Sequence, residues 1–181
     1  MFTMKIDSEI ELQLLQSQHA EEFFHLINQN RTFLKKWLPW VNEILSPIQT
    51  QGLISFWLIQ LSGHNGFSFG IRYKGRLVGN IGSQYIDWYN RQTSIGYFLA
   101  EDAVGKGIMT RSVQAVLNYI FFELRLNRIE IRCGEKNLKS RAIPERLGFT
   151  YEGFVRDGEN LNGQFHHLLM YSMLAREWMG K

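Results

Sequence analysis

Glu101-Asp102-Ala103-Val104-Gly105-Lys106-Gly107-Ile108-Met109-Thr110 is the stretch on which the reading of this chain turns. Before it, Thr93 to Leu99 alternates as a half-buried strand does; after it, Met109, Val113, Val116-Leu117, Ile120 and Leu124 recur along one helix face. The stretch is therefore a strand-to-helix turn carrying two glycines. Such a turn leaves main-chain N–H groups unpaired at the positive end of a helix, where an anion binds. Gly105 and Gly107 would let phosphate oxygens reach those amides; equally, glycines relieve strain in any sharp turn, and these residues alone leave both readings open. A P-loop needs Ser or Thr after Gly-Lys and a further glycine upstream, but Gly107 follows Lys106 and Ala100 holds the upstream place. A dinucleotide fingerprint needs glycine or alanine where Thr110 stands and opens a parallel unit, whereas this turn follows an antiparallel meander.

The meander is read upstream. Phe67, Phe69, Ile71 and Tyr73 alternate with Ser68, Gly70 and Arg72, and Lys74-Gly75 turns the chain into a strand from Leu77 to Ile86. Thr93 to Leu99 continues it after the polar loop Asp87 to Gln92. Earlier still come a strand at Ile10 to Leu15, a helix carrying Phe23, Phe24, Leu26 and Ile27, and a short helix at Phe33 to Trp37. Leu38-Pro39-Trp40 forces a turn, since the residue before proline avoids the helical region, and an amphipathic helix follows from about Ile48 to Leu61. Downstream, Ile129, Ile131 and Cys133 alternate in a strand. A helix at Leu138 to Leu147 should be kinked or truncated by Pro144, and strands at Thr150 to Arg156 and Gln164 to Leu174 finish the chain.

Length and composition set bounds on this order. A chain of 181 residues, 45% hydrophobic and 20% charged, reads as one globular domain over 1–181, with no repeat, linker or low-complexity tract. The net charge of +3 and the absence of a basic run longer than Lys35-Lys36 argue against direct nucleic-acid binding. Cys133 is the only cysteine, which excludes an intramolecular disulfide and a cysteine-cluster metal site and fits a reducing, cytoplasmic setting. Met1-Phe2-Thr3-Met4-Lys5 has no leader pattern. The longest apolar stretch, Leu53 to Leu61, is broken by Ser55 and Gln60, so no membrane span is expected.

A second region joins the glycine turn: Asn137-Leu138-Lys139-Ser140, then Pro144-Glu145-Arg146-Leu147-Gly148-Phe149. Together the two regions resemble the GNAT acetyltransferases, whose phosphate loop is Gln/Arg-x-x-Gly-x-Gly/Ala and whose later motif is Asn-x-x-Ser followed by Glu-Lys-Leu-Gly-Phe. The stretch Asn30 to Trp40 and the ending Leu169-Met170-Tyr171-Ser172-Met173-Leu174 resemble the Rim-type branch, which acetylates N-termini of ribosomal proteins. The likeness covers nearly the whole chain. It implies an α/β (α+β) class GNAT fold: a mixed, mainly antiparallel sheet of about seven strands flanked by helices, splayed between strands four and five to admit acetyl-CoA. Two residues depart from the pattern. Asp102 stands where the loop has Gln or Arg, with Lys106 available to offset its charge, and Pro144 stands where many members carry a tyrosine acid.

The resemblance also implies site residues. Main-chain N–H groups of Phe98 and Leu99 would meet the pantetheine and thioester, amides of Val104, Gly105, Lys106, Gly107, Ile108, Met109 and Thr110 would hold the pyrophosphate, and Asn137 would bind pantetheine. Asn137 as a helix cap and Ser140 as a solvated first-turn residue are the plainer alternatives. Ser140 inherits the acid role in the absence of the tyrosine. Glu159 matches the position of the proposed base, either directly or through water, with a solvated loop carboxylate as the alternative. His166 and His167 are rivals, of which only one can face the site because adjacent strand residues point to opposite sides. Cys133 could carry an acetyl group but reads better as a buried filler. Trp37, Trp40, Phe56 and Trp57 would wall the acceptor groove or pack the core. No metal is expected. An α-amine costs about 1 kcal/mol to deprotonate at neutral pH and a lysine about 4.6, so a weak base suffices for an N-terminal acceptor. The resemblance to the Rim-type branch implies a protein N-terminus as the partner, ribosomal if the branch holds. A small amine such as a polyamine or antibiotic, a non-catalytic acetyl-CoA sensor, and a homo-oligomer are left open.

Overall fold

The structure, a computed structural model, describes residues 3–180. Met1, Phe2 and Lys181 lie outside the described residues, including the first two positions of the N-terminal reading. Eight strands form one sheet: β1 (Thr3–Lys5), β2 (Ile10–Leu14), β3 (Ser68–Tyr73), β4 (Arg76–Ser83), β5 (Gln92–Leu99), β6 (Arg128–Gly134), β7 (Thr150–Leu161) and β8 (Gln164–Leu174), in the order β1-β2-β3-β4-β5-β6-β8-β7. The strand beyond the expected seven is β1, three residues too short to show a period; it forms because β2 offers it a ladder, Met4 opposite Leu12. Every neighbouring pair is antiparallel except β5 and β6.

The helices are α1 (Ala20–Gln29), α2 (Arg31–Leu34), α3 (Pro47–Ser62), α4 (Ile108–Asn118), α5 (Leu138–Leu147) and α6 (Ala175–Trp178). Phe98 of β5 packs its ring 6.2 Å from Phe23 of α1 and 6.1 Å from Trp40, while the next residue back, Tyr97, reaches α5. Alternation along one strand therefore separates the layers: α1 on one face, α5 on the other. The core between them is fully buried at Leu12, Phe23, Ile54, Ile71, Ile81, Val113, Val116 and Ile129. Among the described residues, no helix is long and apolar enough to cross a membrane.

Local chemistry explains most boundaries. Lys74 and Gly75 take φ of 51° and 80°, the double left-handed turn that matches strand twist and joins β3 to β4. Ser46 and Gln49 form a reciprocal cap ahead of α3, with Pro47 at its first turn. Pro39 opens a single 3-10 turn, Pro39–Asn42, and the helix expected at Phe33 to Trp37 sits earlier as α2. Arg31 anchors this connection by donating to the carbonyls of Val41 and Ile44. The long helix expected to reach Leu124 changes pitch: Tyr119–Glu123 is a π turn, where the Tyr119 ring stands edge-on 5.3 Å from Phe67. Two further expectations are corrected. α5 runs its full length through Pro144 and is not truncated, and β7 continues past Arg156 to Leu161, placing Glu159 in a strand opposite His166.

Candidate active site

The site begins where the sheet opens. β5 and β6 pair only from Gln92↔Arg128 to Ser94↔Glu130, and beyond Ser94 the two strands have no ladder. The bonds Gln84 N to Ser94 O (2.8 Å) and Ala100 N to Val78 O (2.7 Å) set the phase of the β4–β5 ladder. With Asn80 opposite Phe98, even-numbered residues of β5 direct N–H and C=O to β4, and odd-numbered residues direct theirs into the gap. The amide of Phe98 is therefore engaged by β4, which corrects its expected contact, while the amides of Leu99 and Tyr97 face the opening.

The glycine turn lies at the end of the same strand. Gly105 and Gly107 have φ of 83° and 71°, and a Cβ added to either would meet nothing within 4 Å. The Val104 N–H is used by the Glu101 carbonyl at 3.3 Å, so Val104 drops out of the expected cradle. From Gly105 through Thr110, no main-chain N–H has a backbone partner among the described residues; the first return bond is Arg111 N to Gly107 O. Ile108 and Met109 bury their side chains. Six consecutive N–H groups at the positive end of an 11-residue helix, with open space over both glycines, fit a pyrophosphate.

Charge around this cradle is arranged by residues that sequence distance concealed. Asp102 pairs with Arg76 at 2.7 Å, so the group that offsets its charge is Arg76 of β4; Lys106 instead lies 5.9 Å from the Tyr73 ring. Arg146 of α5 donates to the Thr110 hydroxyl at 2.9 Å, which holds a guanidinium at the first turn of α4. The motif Pro-Glu-Arg-Leu-Gly-Phe contained Arg146, but nothing in its spacing told that it would reach across to α4.

On the α5 side of the gap, Asn137 caps the helix by accepting from Ser140 N at 3.2 Å, the plainer role anticipated for it. Both residues stay half-buried at the first turn of α5. The Tyr97 hydroxyl donates to the Ser140 carbonyl at 3.1 Å, and burial pushes its phenol well above the usual range. Cys133 shares this face, and burial pushes its thiol up to about 11, too high for a nucleophile at neutral pH.

Glu159 stands on the opposite face. A Cβ built on Gly134, the last residue of β6, would lie 3.6 Å from Glu159 Oε2 and 3.3 Å from Trp37, so carboxylate and indole close over the end of β6 because no side chain intervenes. The carboxylate is half-buried and has no hydrogen bond among the described residues; burial raises its pKa, with His166 pulling the other way. Of the two histidines, His166 is the cross-strand neighbour of Glu159, while His167 accepts from Asp157 N at 3.0 Å and stacks on Phe154. Of the four aromatic candidates, Trp37 adjoins Glu159 and Trp40 meets Phe98. Trp57 packs edge-on against Phe23, and Phe56 is exposed. The β7–β8 tip reaches over this face, Asn162 donating to the Lys35 carbonyl at 3.2 Å. The gap thus has an anion cradle, free amides and a hydroxyl on one side and a lone carboxylate under an indole on the other, and no metal-binding group is found among the described residues.

Comparison with known proteins shows the family. A family model described as an acetyltransferase (GNAT) domain matches residues 9–150. The chain is 41% identical over 182 residues to "Putative ribosomal N-acetyltransferase YdaF" of Bacillus subtilis (strain 168), covering 100% of both chains. It is 27% identical to the ribosomal-protein-serine acetyltransferase of Escherichia coli (strain K12), covering 95% of this chain and 96% of that one. Among solved structures, the ribosomal L7/L12 alpha-N-protein acetyltransferase RimL, in complex with coenzyme A, superimposes with a TM-score of 0.93 at 25% identity over 97% of this chain and 99% of that one. The microcin C7 self immunity acetyltransferase MccE, in complex with acetyl-CoA and AMP, gives 0.91 at 30% identity over 94% of each.

Proposed function

The chain belongs to the GNAT acetyltransferases and is an acetyl-CoA-dependent acyltransferase, and from that premise we propose that its acceptor is the N-terminal α-amine of a protein, ribosomal proteins first among them. In this reading Glu159 takes the proton of the incoming ammonium on the acceptor face, directly or through a water. The neutral nitrogen forms the C–N bond as the C–S bond breaks. The Leu99 N–H donates to the thioester oxygen, where charge builds up, the Tyr97 N–H meets the pantetheine, and Ser140 Oγ gives a proton to the departing thiolate and is restored by the second proton that the nitrogen sheds as the amide forms. Amides 105 to 110 hold the pyrophosphate, and Asn137 orients the pantetheine. The enzyme would work in the cytoplasm as one domain.

The observation that carries this reading is the state of Glu159: half-buried, without a hydrogen bond among the described residues, its pKa raised by burial, and set apart from the cofactor side. One weak carboxylate suffices for an α-amine, which costs about 1 kcal/mol to deprotonate at neutral pH against about 4.6 for a lysine. A polycation would be served by a cluster of carboxylates, whereas Glu159 adjoins Trp37, Gly134 and His166. The departures that would suit a silent acetyl-CoA binder are both offset, Asp102 by Arg76 and the missing tyrosine acid by the Ser140 hydroxyl. The test is thiol release from acetyl-CoA with peptides bearing free N-termini, run beside polyamines and aminoglycosides. Turnover with the peptides is expected. Turnover confined to the small amines would overturn the acceptor, and release with none of them would leave a sensor.

A further inference from the structure

Beyond Ser94 no ladder holds β5 at a fixed distance from the β6–α5 half of the sheet, yet a thioester lying between them needs a cleft of defined width. We infer that Tyr97 is the positioning residue that sets it, its hydroxyl docked on the Ser140 main-chain carbonyl that Pro144 leaves without a helical partner. Residue 144 is four beyond Ser140, so its N–H would ordinarily close the α5 hydrogen bond to that carbonyl. Proline has no N–H, and its ring pushes the carbonyl of the residue four back away from the helix. The freed acceptor is half-buried and would cost free energy if left unmade. Tyr97 fills it at 3.1 Å from across the opening, a hydrogen bond that joins β5 to α5.

The consequence reaches the cofactor groups directly. Ser140 carries the docked carbonyl, and its own N–H is held by the Asn137 side chain, so the Tyr97 bond ties the whole first turn of α5 to the strand whose Leu99 amide faces the same opening. Pro144 is thus a partner of Tyr97 rather than a defect in the helix. Either residue alone is a poor choice: a proline in a helix interior loses a bond, and a tyrosine hydroxyl in the interior needs an acceptor. Together each supplies what the other lacks. The inference rests on reading Asn137 and Ser140 as cofactor contacts and is independent of the acceptor.

A double-mutant cycle on acetyl-CoA affinity, measured by calorimetry on the full chain, tests it. Tyr97→Phe removes one oxygen and should weaken binding about tenfold, the scale of an interior acceptor left unpaired. Pro144→Ala restores an N–H to Ser140, and in that background Tyr97→Phe should change affinity less than about twofold, because the helix then satisfies the carbonyl itself. Equal losses in both backgrounds, or no loss beside the native proline, would overturn the inference. Asn137→Ala, run alongside, separates the two levels of argument. If it weakens binding while Tyr97 and Pro144 prove uncoupled, only the positioning role fails; if it leaves affinity unchanged, the reading of α5 as a cofactor contact fails with it. Thermal melting of each variant distinguishes a lost contact from a lost fold.

Discussion

Replacing Glu159 by Gln keeps the shape of the side chain under Trp37 and removes its ability to take a proton. General acid–base groups contribute roughly 10²- to 10⁴-fold, and that is the loss expected at pH 7. The pH dependence then identifies the acceptor. Without the base, rate follows the fraction of amine already neutral; for an α-amine of pKa about 7.8 this rises from about 0.14 at pH 7 to about 0.94 at pH 9, a rescue of about sevenfold. For a lysine of about 10.4 the same change gives about a hundredfold. The unaltered enzyme should hold its rate below the amine pKa and lose it on an acid limb set by Glu159, whereas the variant's rate falls with the neutral amine throughout. Burial lifts the Glu159 carboxyl above its ordinary value, so its base form is lost as pH falls through that raised pKa. Initial rates of thiol release, as kcat/KM for a peptide with a free N-terminus between pH 5 and 9, give both results. Near-normal turnover of Glu159→Gln at pH 7 would remove the carboxylate from the chemistry and pass the role to His166, since His167 is already engaged by Asp157. A hundredfold rescue would refute the α-amine.

Two further outcomes concern the cradle. Gly107→Ala puts a Cβ into open space but at φ 71°, so about 1–2 kcal/mol of stability is lost to strain, while acetyl-CoA affinity should fall by tenfold or more; calorimetry on a folded variant with unchanged affinity would return the glycine to plain turn chemistry. Arg76→Ala breaks an ion pair whose partners are 55% and 61% exposed, so stability should change by less than about 1 kcal/mol. The unpaired Asp102 should nevertheless raise the KM for acetyl-CoA several-fold at low salt, an effect that shrinks at high salt and disappears in the double variant with Asp102→Asn. A KM insensitive to both salt and Asp102→Asn would show that the acidic side chain does not face the cradle.

Much of the fold was legible because it rests on neighbours in the chain. The Lys74-Gly75 hairpin, the glycine turn into α4, and α5 from Leu138 to Leu147 each follow from period, cap or turn residue, all local chemistry. The strands that escaped notice depend on partners. β1 has too few residues to show a period, and Asp157-Gly158-Glu159-Asn160 is too polar to read as a strand. The latter becomes one because β8 supplies the ladder after an irregularity between Val155 and Glu159.

The candidate site divides along the same line. Motif alone determined that this chain carries a two-glycine strand-to-helix turn and an Asn-Ser helix start, in an order that resembles the GNAT acetyltransferases, because those signals are runs of a few residues. Tertiary structure alone decided which amides are free, since the direction of an N–H on β5 depends on the register of Asn80 against Phe98 and flips with a shift of one residue. It decided that Asp102 meets Arg76, that Arg146 meets Thr110, and that Glu159 faces Trp37 across a glycine. It also joined Tyr97 to the carbonyl that Pro144 frees. These are pairings between distant segments, and their geometry exists only once the sheet has set how far apart the segments lie.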